Sequence, residues 1–387
     1  MFTPEEVEDL RKVVRECAQS DRKLLDNLRD EVRTLKPGVK KIQPRSATAV
    51  SLVASDGGNN QLRYDPFHVQ LVRVVDSYGK QLCLDAVSAS SDLEALDNEQ
   101  FNVDGSARTP LGKLMLDIGV TELNKLSHMM PDVAKAKADP ESVSPSWVLT
   151  YRDLCEWAVL YELICYNSYS TDTLIVRDGA LRSKLFRGNH FITFQERVEA
   201  AIDRIYREDK RRVYLVGVSK HSKALERYGL AFTLENIFPE GDARYVEIPR
   251  ELERKAVQWD RDVRGREEQA EGEEAAGKFV AGTMYFARFG HHSGDPIWPV
   301  DILTKQKADA QQIFGYLQKD AIEGFPIPYY PMCLQKAHTH AEIVDFDFDI
   351  LQDEITSAIR ETLEKRERPT FDELPLRYQD ISNRRYS

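Results

Sequence analysis

The chain has 387 residues, 42% of them hydrophobic and 30% charged, enough apolar material for a sizeable core and too much for a wholly disordered chain. Its 53 basic and 64 acidic residues give a formal net charge of -11, which excludes a globally basic nucleic-acid coat but leaves room for a local phosphate-binding groove. Five scattered cysteines form no CxxC pair, and neither a signal peptide nor a long apolar span is visible. The sequence therefore reads as a cytoplasmic protein with reduced thiols and no membrane partner.

Apolar residues from Val7 to Leu35 recur at helical spacing, predicting one long helix over 4–35 that Pro37-Gly38 ends. Strands are predicted at 48–55 (TAVSLVAS), 67–77 (FHVQLVRVVDS) and 81–89 (QLCLDAVSA), an antiparallel start with short connections. Residues 90–146 are polar and irregular, with a helix predicted over 111–130, and read as an insertion or lid. A strongly apolar helix is predicted over 148–166, a strand over 173–177, a helix over 191–207 and a strand over 213–219. The acidic stretch 261–276 reads as a solvated loop. Strands follow at 279–288 and 297–303, then helices at 305–319, 332–342 and 347–364, then an extended tail. Strands first and crossovers second make an α/β fold with a mixed central sheet flanked by helices. The organisation expected is an N-terminal helical segment (1–38), one domain (39–365) with insertions at 90–146 and 261–276, and a C-terminal tail (366–387).

Two aspartates carry the chemical signal. Asp56 ends an apolar run and precedes Gly57-Gly58; Asp178 ends another and precedes Gly179. On adjacent strands of one sheet the two carboxylates would meet at one edge. There they repel unless a cation or a proton settles the charge, and hard Mg²⁺ or Mn²⁺ prefers such oxygen ligands. A third acid would come from the helix 148–166. Glu156 lies among apolar residues, Glu162 is six positions on and on another face, and the choice between them stays open, with Glu156 preferred. Lys220, closing the run VYLVGVS, is placed to neutralise a phosphate or a developing charge.

His338 and His340 are two apart, not the HExxH spacing of a zinc protease. One of them is expected to face such a site, as metal ligand or phosphate contact. His291-His292 reads as an exposed loop pair. Arg182, Lys184 and Arg187 follow Asp178 closely and are expected to hold a nucleic-acid backbone. The late aromatics Trp298, Tyr329 and Tyr330 read mostly as core, some as base-stacking rings. No P-loop, GxGxxG or GxSxG occurs, which removes the usual support for ATP hydrolysis, dinucleotide redox chemistry and lipase-type acyl transfer.

Taken together, AVSLVASDGG (49–58), the helix with Glu156, TLIVRDGALR (173–182), YLVGVSK (214–220) and YYPMCLQKAHTHAEI (329–343) resemble the NurA nucleases, partners of the HerA hexameric DNA translocase. The resemblance implies an RNase H-like fold and Mn²⁺- or Mg²⁺-dependent DNA hydrolysis with two ions, by exonuclease and also endonuclease cleavage. It also implies a homodimer docked on a HerA-like hexameric ATPase, in DNA end processing or anti-phage defence. Asp56 and Asp178 carry over as metal ligands, Glu156 or Glu162 as the helical acid, Lys220 as the lysine of Gly-Val-Ser-Lys, and His338 as the late histidine that contacts metal or phosphate. The rival readings are a catalytically inactive subunit of a translocase complex and an RNase H-like enzyme acting on RNA or guide-bound duplexes.

Overall fold

The apolar runs of the sequence become the strands of one sheet. The computed structural model describes residues 2–45, 50–64, 67–139, 142–257, 278–341 and 345–372, with 50–64 described at the backbone. The acidic stretch 261–276 and the end of the tail lie outside the described residues. The strands are β1 (Lys40–Lys41), β2 (Val50–Tyr64), β3 (Phe67–Asp76), β4 (Gln81–Ser88), β5 (Asp172–Asp178), β6 (Val213–Val218), β7 (Arg244–Glu247), β8 (Gly282–Arg288) and β9 (Ile297–Leu303). Their order across the sheet is β1-β7-β8-β9-β6-β5-β2-β3-β4. β5 pairs parallel with β2 on one side and β6 on the other, while the remaining pairings are antiparallel.

The parallel centre is buried on both faces, as crossover strands must be. Along β5, Ile175 enters one core with Leu215 of β6, whereas Leu174 and Val176 enter the other with Val216 and Val218. The first core is closed by helices α3 (Leu93–Asn98), α4 (Pro110–Ile118), α5 (Leu123–Leu126), α7 (Trp147–Cys165) and α8 (His190–Asp209), with the short α6 (Val133–Ala138) at its margin. The second is closed by α11 (Ala310–Ala321) and α12 (Met332–Ala341), which contribute Phe314, Leu317, Leu334 and Ala337. Each fully buried aliphatic side chain contributes about 1.5–3 kcal/mol. The remaining helices are α1 (Pro4–Ser20), α2 (Arg22–Arg33), α9 (Lys223–Leu234), α10 (Arg250–Val257), α13 (Asp345–Thr362) and α14 (Arg368–Asp372). Among the described residues no helix is long and apolar enough to cross a membrane.

Four expectations change. The helix predicted over 4–35 is two helices meeting at Asp21. Gln19-Ser20-Asp21-Arg22 interrupts the apolar stripe there, and Asp competes for local backbone bonds. α1 opens on a capping box, with Thr3 and Glu6 exchanging bonds and Pro4 in the first turn. Its Leu10, Val13 and Val14 remain exposed, whereas Val32 and Leu35 at the end of α2 join a core with α9. Second, the strand ending at Asp56 continues through Gly57-Gly58-Asn59-Asn60 to Tyr64, because β3 pairs with it throughout. Third, 90–146 is no polar lid: Leu96, Leu111, Leu114, Met115 and Leu126 enter the first core, and Gly119 (φ 87°) stops the predicted 111–130 helix at Ile118. Fourth, the tail does not run straight from 366, since α14 folds back and Asp372 pairs with Arg360 at 2.8 Å.

Candidate metal centre

The aspartates are brought together by strand register. Val50 pairs with Asp172 and Ser55 with Arg177, so the next residues along, Asp56 and Asp178, hold matching positions on adjacent parallel strands. Such strands lie about 4.8 Å apart. The β2–β5 pairing ends there, while β2 runs on beside β3. The Asp-Gly-Gly run therefore stands where the parallel part of the sheet stops.

Alternation along β5 sends Arg177 and Asp178 to opposite faces. Asp178 faces the α12 side. One carboxylate oxygen accepts from the Tyr330 hydroxyl at 3.1 Å, and the other receives Lys220 Nζ at 2.8 Å. Lys220 lies two residues beyond Val218, the register partner of Asp178, so its side chain falls on the same side of the sheet. The Tyr330 hydroxyl also reaches the Val218 carbonyl at 3.4 Å, bridging the ends of β5 and β6.

Tyr330 is itself fixed from behind. Tyr329 before it adopts a positive φ of 55°, a strained backbone for a non-glycine residue. The buried Gln335 amide of α12 donates to the carbonyls of Tyr330 (2.9 Å) and Ile327 (3.1 Å) and accepts from the Ile327 amide. The Trp298 ring packs 4.8 Å from that of Tyr330, centroid to centroid.

Two glycines make the strand ends fit. Gly179 takes φ 108°, turning the chain back as β5 ends. A Cβ on Gly217 of β6 would sit 2.3 Å from the Gly179 carbonyl oxygen. Gly-Val-Ser-Lys thus needs its glycine for the crossing of two backbones.

On the other face, the Arg177 guanidinium lies 4.3 Å over the Trp157 ring of α7, a cation–π contact. It donates to the carbonyls of Asp178 (3.0 Å) and Ala180 (3.2 Å) and pairs with Glu156 at 3.9 Å. Arg152 stands 3.6 Å from the other Glu156 oxygen. Glu156 therefore reaches the end of β5 from the α7 side. Glu162, further along the helix, is paired instead with Lys113 of α4. Of the two helical acids, Glu156 is the one that reaches the end of β5, through Arg177 and on the face opposite the Asp178 carboxylate.

The remaining candidates divide. α12 lies across β2, β3 and β5 and carries His338 on its exposed side, while the His340 ring lies against Gly79 in the β3–β4 turn. His291-His292 sits in the exposed β8–β9 turn, as expected, bonded to Gly241 and Asp295. Arg182 is no phosphate contact. Its guanidinium is buried between Asp301 (2.6–3.0 Å) and Glu253 (2.5 Å), and Asp301 also accepts from the Leu181 amide. A guanidinium so enclosed cannot meet a phosphate. Lys184 is half-buried, and Arg187 is exposed and donates to the Asn124 carbonyl at 3.1 Å.

Tyr330, Arg177 and Gly217 were not singled out from the sequence as parts of this site. All three nevertheless stand in the quoted stretches, Arg177 in TLIVRDGALR, Gly217 in YLVGVSK and Tyr330 in YYPMCLQKAHTHAEI. Among the described residues no group of three or more His, Cys, Asp or Glu forms a ready metal cage. Asp178 fits a hard cation by type, since each of its oxygens accepts one hydrogen bond and keeps a second lone pair. Asp56 enters by backbone register alone, at the position that matches Asp178.

No family model matches the chain, and no curated protein matches it. Solved structures do. The crystal structure of the NurA nuclease from Sulfolobus solfataricus aligns over 94% of this chain and 99% of its own, at 13% identity and a TM-score of 0.40. A structure of NurA bound to dAMP and manganese aligns over 96% of this chain and 100% of its own, at 10% identity and a TM-score of 0.41.

Proposed function

We propose that this chain is a divalent-metal-dependent DNA nuclease. The observation that carries the reading is the matched register of Asp56 and Asp178 on adjacent parallel strands, beside a lysine and a tyrosine that hold the second carboxylate. Asp56 and Asp178 would hold Mn²⁺ or Mg²⁺, with Glu156 as the helical acid and His338 facing metal or phosphate from α12. Bound there, such an ion, or a pair of them, supplies an activated water at neutral pH and positive charge for the leaving oxygen.

The protein's own groups do the positioning. Lys220 holds the Asp178 carboxylate aligned and stands ready to pair with the scissile phosphate. Tyr330 fixes the Asp178 carboxylate plane, and Arg187 and Lys184 are the proposed contacts to the nucleic-acid backbone. The strand order β4-β3-β2-β5-β6, hairpins first and two crossovers after, supports an RNase H-like core. The net charge of -11 disfavours unaided capture of duplex. It suits a nuclease to which a ring translocase delivers DNA, here a HerA-like hexameric ATPase bound by a homodimer, in end processing or anti-phage defence.

The test is cleavage of linear DNA with Mn²⁺, with and without a HerA-like ATPase, by wild type, Asp56→Ala and Asp178→Ala. Wild type should cut exonucleolytically, and nick circular single strands if it is also an endonuclease. Both variants should lose at least about 10²-fold in rate while keeping the wild-type circular dichroism. A wild type that cuts neither DNA nor RNA in either setting would replace this reading with that of a non-cutting subunit of a translocase complex.

A further inference from the structure

A pair of thiols lies outside the carboxylate site. Cys83 of β4 and Cys155 of α7 line one cavity of about 210 Å³ between strand and helix. Cys83 packs against the buried cluster that contains Cys155. A second rung confirms the alignment. The Tyr151 hydroxyl, one helical turn before Cys155, donates to the Asp85 carboxylate at 2.6 Å, and Asp85 is two residues after Cys83. One helical turn rises about 5.4 Å and two strand residues about 6.6–6.8 Å. Helix and strand therefore run antiparallel there with their rungs in step, which sets Cys155 toward Cys83 across the shared cavity.

Exposure differs within the pair. Cys83 is half-buried at the cavity wall, whereas Cys155 is buried. An oxidant entering the cavity meets Cys83 first, with Cys155 behind it as the second thiol.

We propose that Cys83 and Cys155 form an oxidation site, converted by a peroxide into a disulfide that ties α7 to β4. In the first step the Cys83 sulfur attacks hydrogen peroxide. The O–O bond breaks, an S–O bond forms, and one water leaves. In the second, the Cys155 sulfur attacks the Cys83 sulfenic acid. The S–S bond forms, the S–O bond breaks, and the hydroxyl leaves as a second water with the Cys155 proton. Two thiols lose two electrons and one peroxide gains them, and a small dithiol reverses the change. The bond fixes α7 at the residue preceding Glu156.

The experiment is peroxide treatment of the intact protein, alkylation of remaining thiols under denaturing conditions, and digestion without reductant. Mass spectrometry should find the Cys83 and Cys155 peptides joined, two hydrogens lighter than their sum. The species should disappear with dithiothreitol and in Cys83→Ser, and persist in Cys165→Ser. Should Cys83→Ser fail to fold, Cys155→Ala serves as the second control, and the wild-type peptide map stands without either. Recovery of Cys155 as an alkylated thiol while Cys83 is over-oxidised or joined to Cys17 overturns the proposal.

Discussion

Lys220 holds Asp178. Its ammonium lies 2.8 Å from a carboxylate oxygen, with the two residues at the ends of neighbouring parallel strands. The side chains are 31% and 18% exposed, so the pair contributes little to stability, on the order of 0–1 kcal/mol. Its value is positional. Lys220→Met should leave the melting temperature within a few degrees of wild type and lower the cleavage rate on DNA by about 10²-fold. Rates measured at saturating Mn²⁺ separate this from weakened metal binding.

Tyr330 contributes a neutral hydrogen bond to the same carboxylate. Tyr330→Phe keeps the ring against Trp298 and removes only the hydroxyl. The expected cost is about 0.5–1.5 kcal/mol in denaturant unfolding, with cleavage falling less than in Lys220→Met.

Gly217 is a packing requirement. An alanine there drives its Cβ to 2.3 Å from a backbone oxygen, so Gly217→Ala should destabilise by about 1–3 kcal/mol. Gly229 in α9 is the control, because its added Cβ meets only Leu225 at 3.8 Å. Gly229→Ala should be neutral or stabilise by up to about 1 kcal/mol. Urea denaturation of both variants measures the contrast.

Arg182 should behave as a core residue. Arg182→Ala strands the Asp301 carboxylate and leaves Glu253 with Arg250 alone, their side chains being 2% and 4% exposed, and should cost about 3–5 kcal/mol. Arg187→Ala should instead leave stability within about 0.5 kcal/mol and make DNA binding less salt-dependent.

The docking of α2 depends on pH. Arg33 and Arg29 donate to Glu235 of the α9 end and hold its carboxyl down to about 2, below the usual 4.5. A carboxyl depressed in the folded state binds its proton more readily when unfolded. Its stabilisation is therefore complete above about pH 4.5 and disappears as pH falls toward 2. Glu235→Gln should lower the melting temperature at pH 7, and the gap to wild type should close toward pH 2. A gap constant over that range would contradict the assignment.

The centre of the fold was legible because its residues obey one local rule. Leu174 to Val176 are buried without exception, and an apolar run ending in Asp-Gly announces both the strand and the acid at its end. The same signal misled at β2. Gly57 to Asn60 are poor strand formers, yet the hairpin with β3 carries them in extended pairing. The packing of 90–146 was hidden because its apolar residues sit in helices too short to establish a period. Tyr330 could not be placed from sequence, since its target lies 152 residues away. The partners of Glu156 and Glu162 were likewise hidden, since Arg177 and Lys113 reach them only through tertiary contacts.

The most direct measurement is Mn²⁺ titration by calorimetry of wild type, Asp56→Asn, Asp178→Asn and the double variant. If the two aspartates share one cation site, each single change should weaken binding by at least about tenfold, and the double variant should be scarcely worse than either single. Unaltered Mn²⁺ affinity in either single variant, or strictly additive losses, would show that the matched strand positions do not form one metal centre.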